Sequence, residues 1–306
     1  MTWFLLALVG PLLYALTNHI DKFLLANFFR EGGVGTLILF SSLLSFVAVP
    51  FIYLGDTSVF EVDKRSILAL TCVSVLGICV LWFYLLALKD DEASIVIVFY
   101  QLVPVFAYAF GYVFLGETLT PIQLVAMGII ILGTSIISFD IDDRNKLRLR
   151  WTTVCYMLIA VTCWALESVI FKGVALKENV WRSLFWEHVM MVTVGIVIFL
   201  VAPTYRNHFL KVFRRNSVPV LSLNALNEGA YMLGNIVVAF AYMLAPVALV
   251  LLAESFQPIF VFAIGFFLTV FFPKLSRENI HPRSIAQKLA AIVITGIGTY
   301  ILLSST

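Results

Sequence analysis

The chain has 306 residues, of which 61% are apolar and only 12% are charged. Ordinary soluble domains are about 45–50% apolar and about 25% charged, so this composition excludes a typical soluble domain and favours a polytopic membrane protein. The formal net charge is only +2, and no basic run with interleaved aromatic residues is present, which argues against nucleic-acid binding.

Ten apolar segments follow one another along the chain, each close to the ~20 residues that cross the hydrocarbon core of a bilayer. Their approximate limits are 2–20, 34–54, 66–88, 92–115, 119–139, 151–172, 183–203, 217–244, 247–272 and 285–303. A charged run near the chain midpoint separates the first five from the last five. We therefore predict a first repeat at 1–140, a charged linker at 141–150 and a second repeat at 151–306.

The two halves resemble each other in three helix pairs, in the same order. The matches are Tyr14-Ala15-Leu16 with Trp164-Ala165-Leu166, Pro104-Val105-Phe106 with Pro258-Ile259-Phe260, and Gly133-Thr134 with Gly298-Thr299. Because each unit has an odd number of spans, the second unit must lie upside down relative to the first. The sequence thus predicts an all-α polytopic membrane protein with ten transmembrane helices arranged as two inverted five-helix repeats.

A polar stripe runs along the eighth segment. It consists of Asn224, Glu228, Tyr231, Asn235 and Tyr242, whose spacing places all five on one face of a helix. Charged and amide side chains are costly in lipid, so this face should contact protein or a water-filled cavity. We interpret Glu228 as a functional carboxylate, against the alternative of a structural hydrogen bond to a neighbouring helix.

Three further glutamates lie within or near the spans of the second half. Glu254 precedes Pro258, where the missing N–H frees a backbone carbonyl that could line a cavity or act as a hinge. For Glu167 the alternative is a local ion pair with Lys172, and for Glu187 it is an interfacial position beside Trp186.

Carboxylates beside aromatic rings suit an organic cation, and the same carboxylates could bind protons. Candidates for substrate binding or proton coupling are Glu228, Glu254, Asn224, Tyr231, Asn235, Gln257, Glu167, Trp164, Asn18, Tyr100, Gln101, Glu187 and His188. We identify no metal site, no cofactor site and no catalytic motif, and therefore predict that the protein is not an enzyme.

A proline-bearing fourth segment, which contains Gln101-Leu102-Val103-Pro104, runs into Gly116-Glu117 and then a fifth segment. This pattern, with the ten segments and the repeat, resembles the EamA-type members of the drug/metabolite transporter superfamily. The resemblance implies an alternating-access transporter with a central cavity. Pro104, Pro258, Gly116 and Glu117 are predicted to be structural, with Glu117 as a latch that caps the fifth helix. The second half departs from the pattern, with Phe271-Phe272-Pro273-Lys274 in place of Gly-Glu.

The predicted function is a secondary transporter, an exporter of a small polar or cationic organic solute, located in the cell membrane as a multi-pass protein. The alternatives are a flippase for a lipid-linked carrier and an integral membrane enzyme. Expected partners are the solute, membrane lipid and protons, and the protein is a monomer or a homodimer. Fifteen Lys and Arg residues follow odd-numbered segments and five follow even-numbered ones, which places both termini outside. The family resemblance implies both termini in the cytoplasm, so orientation stays open.

Overall fold

The computed structural model describes residues 2–27, 33–90, 99–138, 151–215, 217–271 and 282–305. The predicted linker at 141–150 and the loop that follows Phe271 lie outside the described residues, as do residues 92–98 at the start of the predicted fourth segment. Every regular element in the described ranges is helical.

The helices are numbered here in chain order. They are α1 Thr2–Asn27, α2 Gly33–Leu44, α3 Ala48–Gly55, α4 Lys64–Asp90, α5 Val103–Leu115, α6 Pro121–Ser138, α7 Trp151–Glu178, α8 Val180–Val201, α9 Pro203–Arg215, α10 Ser217–Tyr242, α11 Val247–Glu254, α12 Gln257–Phe271 and α13 Pro282–Ser304.

Seven stretches of the described chain are long and apolar enough to cross a membrane. They lie in α1, α2 with α3, α4, α7, α8, α11 with α12, and α13, and α5 and α6 are shorter apolar helices. The chain is therefore an all-α, multi-pass membrane protein. The α10 helix is 26 residues long but is not one of the seven, because its polar stripe lowers its hydropathy. Ten crossings remain a prediction.

Three of the predicted spans are interrupted within the described residues. In the fourth span, a turn at Gln101–Leu102 precedes α5. A single 3₁₀ turn, Ser45–Val47, separates α2 from α3. Between α11 and α12 the backbone tightens, since the N–H groups of Ser255 and Phe256 donate to carbonyls three residues back, each at 3.1 Å. Pro258, which has no N–H to donate, follows directly in the first turn of α12. This break places the end of α11 in the interior of the bundle.

The turn between α5 and α6 has two separate capping devices. Gly116 takes the left-handed conformation with φ 68°, and the Glu117 N–H donates to the Gly111 carbonyl at 3.1 Å, so a left-handed glycine ends α5. The start of α6 is capped by Thr120 and Gln123, each of which binds the backbone N–H of the other. The prediction that Glu117 caps the fifth helix is therefore wrong, because Thr120 and Gln123 fill that role.

The bundle is built mainly from helix pairs that join the first half of the chain to the second. The α1 helix packs on α10, α4 on α7, and α6 on α13. The crossing of α6 and α13 is close because each helix has a glycine at the contact. A Cβ on Gly133 would lie 2.8 Å from the backbone nitrogen of Thr295, and a Cβ on Gly298 would lie 3.0 Å from the backbone nitrogen of Ile130. These small residues allow the two backbones to approach one another.

One helix was not predicted from the sequence. The α9 helix occupies the stretch that we expected to be a loop between the seventh and eighth segments. It is short and rich in basic residues, so it lacks the continuous apolar run by which the spans were recognised. Its apolar residues nevertheless recur on one face, and that face packs on α2 and α8.

Candidate functional site

A cavity of about 900 Å³ lies in the centre of the bundle. Its walls come from both halves of the chain: α1, α2, α4 and the turn before α5 from the first half, and α7, α8, α10, α11, α12 and α13 from the second. A space of this size holds a small organic molecule with room for water.

Four glutamates line this cavity: Glu167, Glu187, Glu228 and Glu254. The first three glutamates lie on α7, α8 and α10. Glu254 is the last residue of α11, at the break before Pro258. Glu167, Glu187 and Glu254 are close enough to interact electrostatically. Ionised carboxylates grouped in a cavity of low polarity require compensating positive charge, from a bound cation or from protons.

Two of these carboxylates have an oxygen available for a ligand. Among the described residues, the buried Oε2 atoms of Glu187 and Glu254 have no hydrogen-bond partner. The Asn235 side chain lies beside the Glu187 carboxylate, and the Glu187 carbonyl accepts from the Ser74 hydroxyl at 2.8 Å. A buried, unsatisfied acceptor is destabilising on its own, so each of these oxygens needs a donor from water or from a bound solute.

Aromatic rings surround the carboxylates. Tyr14 and Tyr231, from α1 and α10, have ring centroids 5.2 Å apart. Tyr100 and Trp164 meet edge to face at 5.0 Å. The Glu167 carboxylate lies against Gly77 of α4, where an added Cβ would be only 3.2 Å from Oε1. Faces of Tyr and Trp beside carboxylates form an environment that favours an organic cation.

Most of the residues predicted from the sequence lie together in the lining. These are Glu228, Glu254, Tyr231, Asn235, Gln257, Glu167, Trp164, Asn18, Tyr100, Gln101, Glu187, His188 and, from the structural set, Pro258. Asn224 does not line the cavity: its buried amide donates to the Val220 carbonyl at 2.7 Å within α10. Glu187 lines the central cavity, so its position does not support the alternative that it is interfacial.

Two of the lining residues are held by hydrogen bonds within the bundle. Gln101 accepts from the Thr134 hydroxyl at 2.7 Å. A ring nitrogen of His188 lies 2.8 Å from the Leu184 carbonyl on the same helix. These contacts fix the orientation of both side chains at the cavity wall.

Lys288 was missed as a site residue. It was counted among the fifteen Lys and Arg residues that follow odd-numbered segments, but it lies within α13, is 8% exposed and lines the cavity. Its Nζ atom is 4.1 Å from the centroid of the Phe262 ring. His19 and Asn227 also line the cavity. The signal was available for Lys288, because an ionisable residue inside an apolar segment is a functional candidate by the rule applied to the glutamates.

A central cavity lined by carboxylates between the two halves of a helical membrane protein is the arrangement expected of a transporter. Residues 1–139 match the EamA-like transporter family. The predicted resemblance to the drug/metabolite transporter superfamily is thus confirmed. The EamA-like match ends just before the midpoint of the chain, so the second repeat at 151–306 stays a prediction.

Comparison with solved structures supports the same fold for the whole chain. Similar structures comprise 27 chains. One of them, described only as "Crystal structure of protein", has a TM-score of 0.67 and 14% sequence identity, with 98% of this chain and 96% of that chain covered. At this identity the likeness shows the fold alone. No curated protein matches the chain.

A buried ion pair closes the bundle beyond one end of the cavity. Phe171 of α7 lines the cavity, and the next residue, Lys172, forms an ion pair with Glu117 of the EamA-like half. Lys172 also donates to the Ala245 carbonyl at 2.7 Å, and the second oxygen of Glu117 accepts from the Val247 N–H at 2.8 Å. Glu117 therefore caps α11 in the other half of the chain. The alternative that Lys172 pairs with Glu167 is wrong.

Polar contacts at the same end tie the loop before α4 to the joint between α7 and α8. We call Asp56, Ser58, Glu61, Asn179 and Arg182 the polar clamp. The Asn179 amide donates to Asp56 at 3.0 Å, and Arg182 donates to the Glu61 carbonyl at 2.9 Å and to the Ser58 hydroxyl at 2.7 Å. Hydrogen bonds from Ser58 and Asn179 lower the pKa of Asp56 to about 2.

The described residues contain no group of three or more His, Cys, Asp or Glu side chains that could hold a metal ion.

Proposed function

We propose that the protein is a secondary transporter in the cell membrane that exports a small cationic organic solute by alternating access. The observation that carries this proposal is the pair of buried, unpartnered carboxylate oxygens of Glu187 and Glu254 in a cavity walled by Tyr and Trp rings. A cationic solute in this cavity would bring ammonium donors to unsatisfied carboxylate acceptors and contact the ring faces. The EamA-like match supports transport as the activity.

The proposed architecture is ten crossings in two inverted repeats, 1–140 and 151–306. If α1 corresponds to α7 and α4 to α10, then the packing of α1 on α10 becomes the packing of α7 on α4 when the repeats are exchanged, and both contacts occur. The helices α6 and α13 correspond to each other, so their contact is unchanged when the repeats are exchanged. The turn at Gln101–Leu102 before Pro104 corresponds to the break at Ser255–Phe256 before Pro258. Such exchange symmetry is what an inverted repeat requires.

We further propose that the carboxylates couple transport to protons. Without substrate, protons would compensate the grouped charges of Glu167, Glu187 and Glu254, and a cationic solute would displace them. Movement of one solute in one direction is then linked to movement of protons in the other. Glu254 is best placed for this exchange, because it lies at the helix break, where the backbone can adjust.

The test is proton flux in liposomes that hold the purified protein and a pH-sensitive dye. The liposomes are challenged with separate pools of quaternary amines, polyamines and amino acids, and with neutral solutes of similar size. We expect a cationic pool to evoke proton movement. Glu254→Gln and Glu187→Gln should each abolish it, because the amide keeps the shape of the side chain and removes the charge.

Glu61→Gln serves as the matched control, because this glutamate is 76% exposed in the polar clamp, outside the cavity. Normal transport in Glu254→Gln and Glu187→Gln, or equal transport of neutral solutes, would overturn the proposal. Substrate-dependent thermal stabilisation without proton movement would retain the cation site and overturn proton coupling.

A further inference from the structure

The α9 helix carries a basic surface at the edge of the membrane. It follows Val201, the last residue of α8, which is 75% exposed and so marks lipid-facing surface. Only Ala202 separates the two helices, and the Ala202 N–H still donates to the Ile198 carbonyl at 2.9 Å. The start of α9 therefore lies directly beside the exposed, apolar end of the candidate span α8.

One face of α9 anchors it to the bundle. Tyr205, Phe209 and Val212 share this face by their spacing. The Phe209 ring centroid is 4.4 Å from that of Phe40 in α2. The Tyr205 ring centroid is 5.8 Å from that of Trp82 in α4. The orientation of the helix is thus fixed by apolar packing, which leaves its other faces to the surroundings.

The opposite face is polar and basic. Asn207, Lys211 and Arg214 recur at i, i+4 and i+7 and are all exposed. Between this stripe and the anchor lie Leu210 and Phe213, the latter 38% exposed. A helix with an apolar border beside a row of cations is typical of one that lies in the interface between lipid headgroups and acyl chains.

No acidic residue occurs in the sequence between His188 and Glu228, so this stretch of the chain carries a net positive charge. We infer that the exposed basic stripe of α9 binds the phosphate of anionic phospholipid headgroups in the leaflet that α9 borders. Phosphate is a strong acceptor for Lys and Arg, and the low polarity of the nearby interface strengthens the contact. This inference does not depend on the transported solute.

The test uses the full-length protein, purified in detergent and stripped of lipid, with phosphatidylglycerol or phosphatidylcholine added in rising amounts. Bound lipid is counted by native mass spectrometry, and the unfolding midpoint is followed in parallel. We expect phosphatidylglycerol to bind and phosphatidylcholine not to compete. Each basic residue removed should weaken binding about fivefold, so the double variant Lys211→Gln/Arg214→Gln should bind about 30-fold more weakly.

The matched control is Lys64→Gln/Arg65→Gln, which removes two exposed basic residues at the start of α4, at the other end of the bundle. It should bind phosphatidylglycerol as the unaltered protein does. A second variant, Asn207→Lys, adds a charge to the same stripe and should tighten binding about fivefold. This gain keeps the proposal testable even if the double variant unfolds.

Three outcomes would overturn the inference. The first is equal binding of the two lipids. The second is unchanged binding in both the double variant and Asn207→Lys. The third is saturation of the stripe by glycerophosphoglycerol or inorganic phosphate at the concentrations at which the lipid binds, which would indicate a site for soluble anions.

Discussion

Lys172 and Glu117 form an ion pair that joins the two halves of the chain, with side chains that are 8% and 14% exposed. Each partner also makes a backbone contact in the second half, Lys172 with the Ala245 carbonyl and Glu117 with the Val247 N–H. Two of the three Lys172 N–H donors and both Glu117 oxygens are therefore used in contacts at this junction.

Glu117→Gln should destabilise the protein by about 3–5 kcal/mol, because it leaves a buried ammonium without its counter-charge. Lys172→Met should have an effect of similar size. The double variant Glu117→Gln/Lys172→Met should lose less than the sum of the two single variants, since no unpaired charge remains. Unfolding midpoints in detergent provide the measurement.

Lys177→Met is the control for this pair. Lys177 lies on the same helix and pairs with Asp63 at 3.0 Å, but both side chains are about half exposed. It should change the midpoint little. Additive losses in the Glu117 and Lys172 double variant would contradict the coupling inferred from the geometry.

The crossing of α6 and α13 gives a prediction for small residues. Gly133→Ala and Gly298→Ala should each destabilise the protein by about 1–3 kcal/mol, because the new methyl groups would meet backbone atoms that cannot rotate away. Gly128→Ala and Gly296→Ala, on the same two helices, meet nothing within 4 Å. These controls should be neutral or slightly stabilising, and equal losses in all four variants would contradict the close approach.

The seven apolar stretches and the glutamates that line the cavity could be predicted from the sequence, because both depend on local composition. Long apolar blocks indicate spans, and an ionisable residue within such a block is a functional candidate. This rule found Glu167, Glu187 and Glu254, and it also applies to Lys288. Lys288 was missed because it lies only three residues after the predicted start of its segment at 285. So close to the boundary, it was counted with the charged residues of the preceding loop.

Long-range partners were not readable. Lys172 has Glu167 five residues away in sequence, but its partner Glu117 is 55 residues away. The cap that Glu117 provides for α11 spans 130 residues. Which of two carboxylates a lysine meets depends on helix packing, which no single segment encodes. Likewise, the two-residue break before Pro258 is set by the surrounding bundle, although the proline alone indicates a kink.

The polar clamp should make stability depend on pH in an acidic window. Asp56 has a pKa of about 2 in the folded protein, against about 3.9 in an unfolded chain. Its contribution is therefore complete above about pH 4 and is lost as the pH falls through the folded value. Unfolding midpoints of the unaltered protein should fall more steeply between about pH 4 and 2 than those of Asp56→Asn, and parallel curves would exclude a role for this carboxylate.

Gly77 allows the position of a cavity carboxylate to be tested separately from stability. In Gly77→Ala the new Cβ would lie 3.2 Å from Oε1 of Glu167, so the carboxylate must move by a few tenths of an ångström. Alanine is favoured over glycine in a helix, so the unfolding midpoint should be unchanged or higher. Transport should nevertheless fall about two- to tenfold, because binding groups in a cavity must be well placed. Gly128→Ala gains the same helix propensity away from any side chain and should transport normally. Loss of transport and stability together would indicate disrupted packing, whereas normal transport in Gly77→Ala would remove the position of Glu167 from the mechanism.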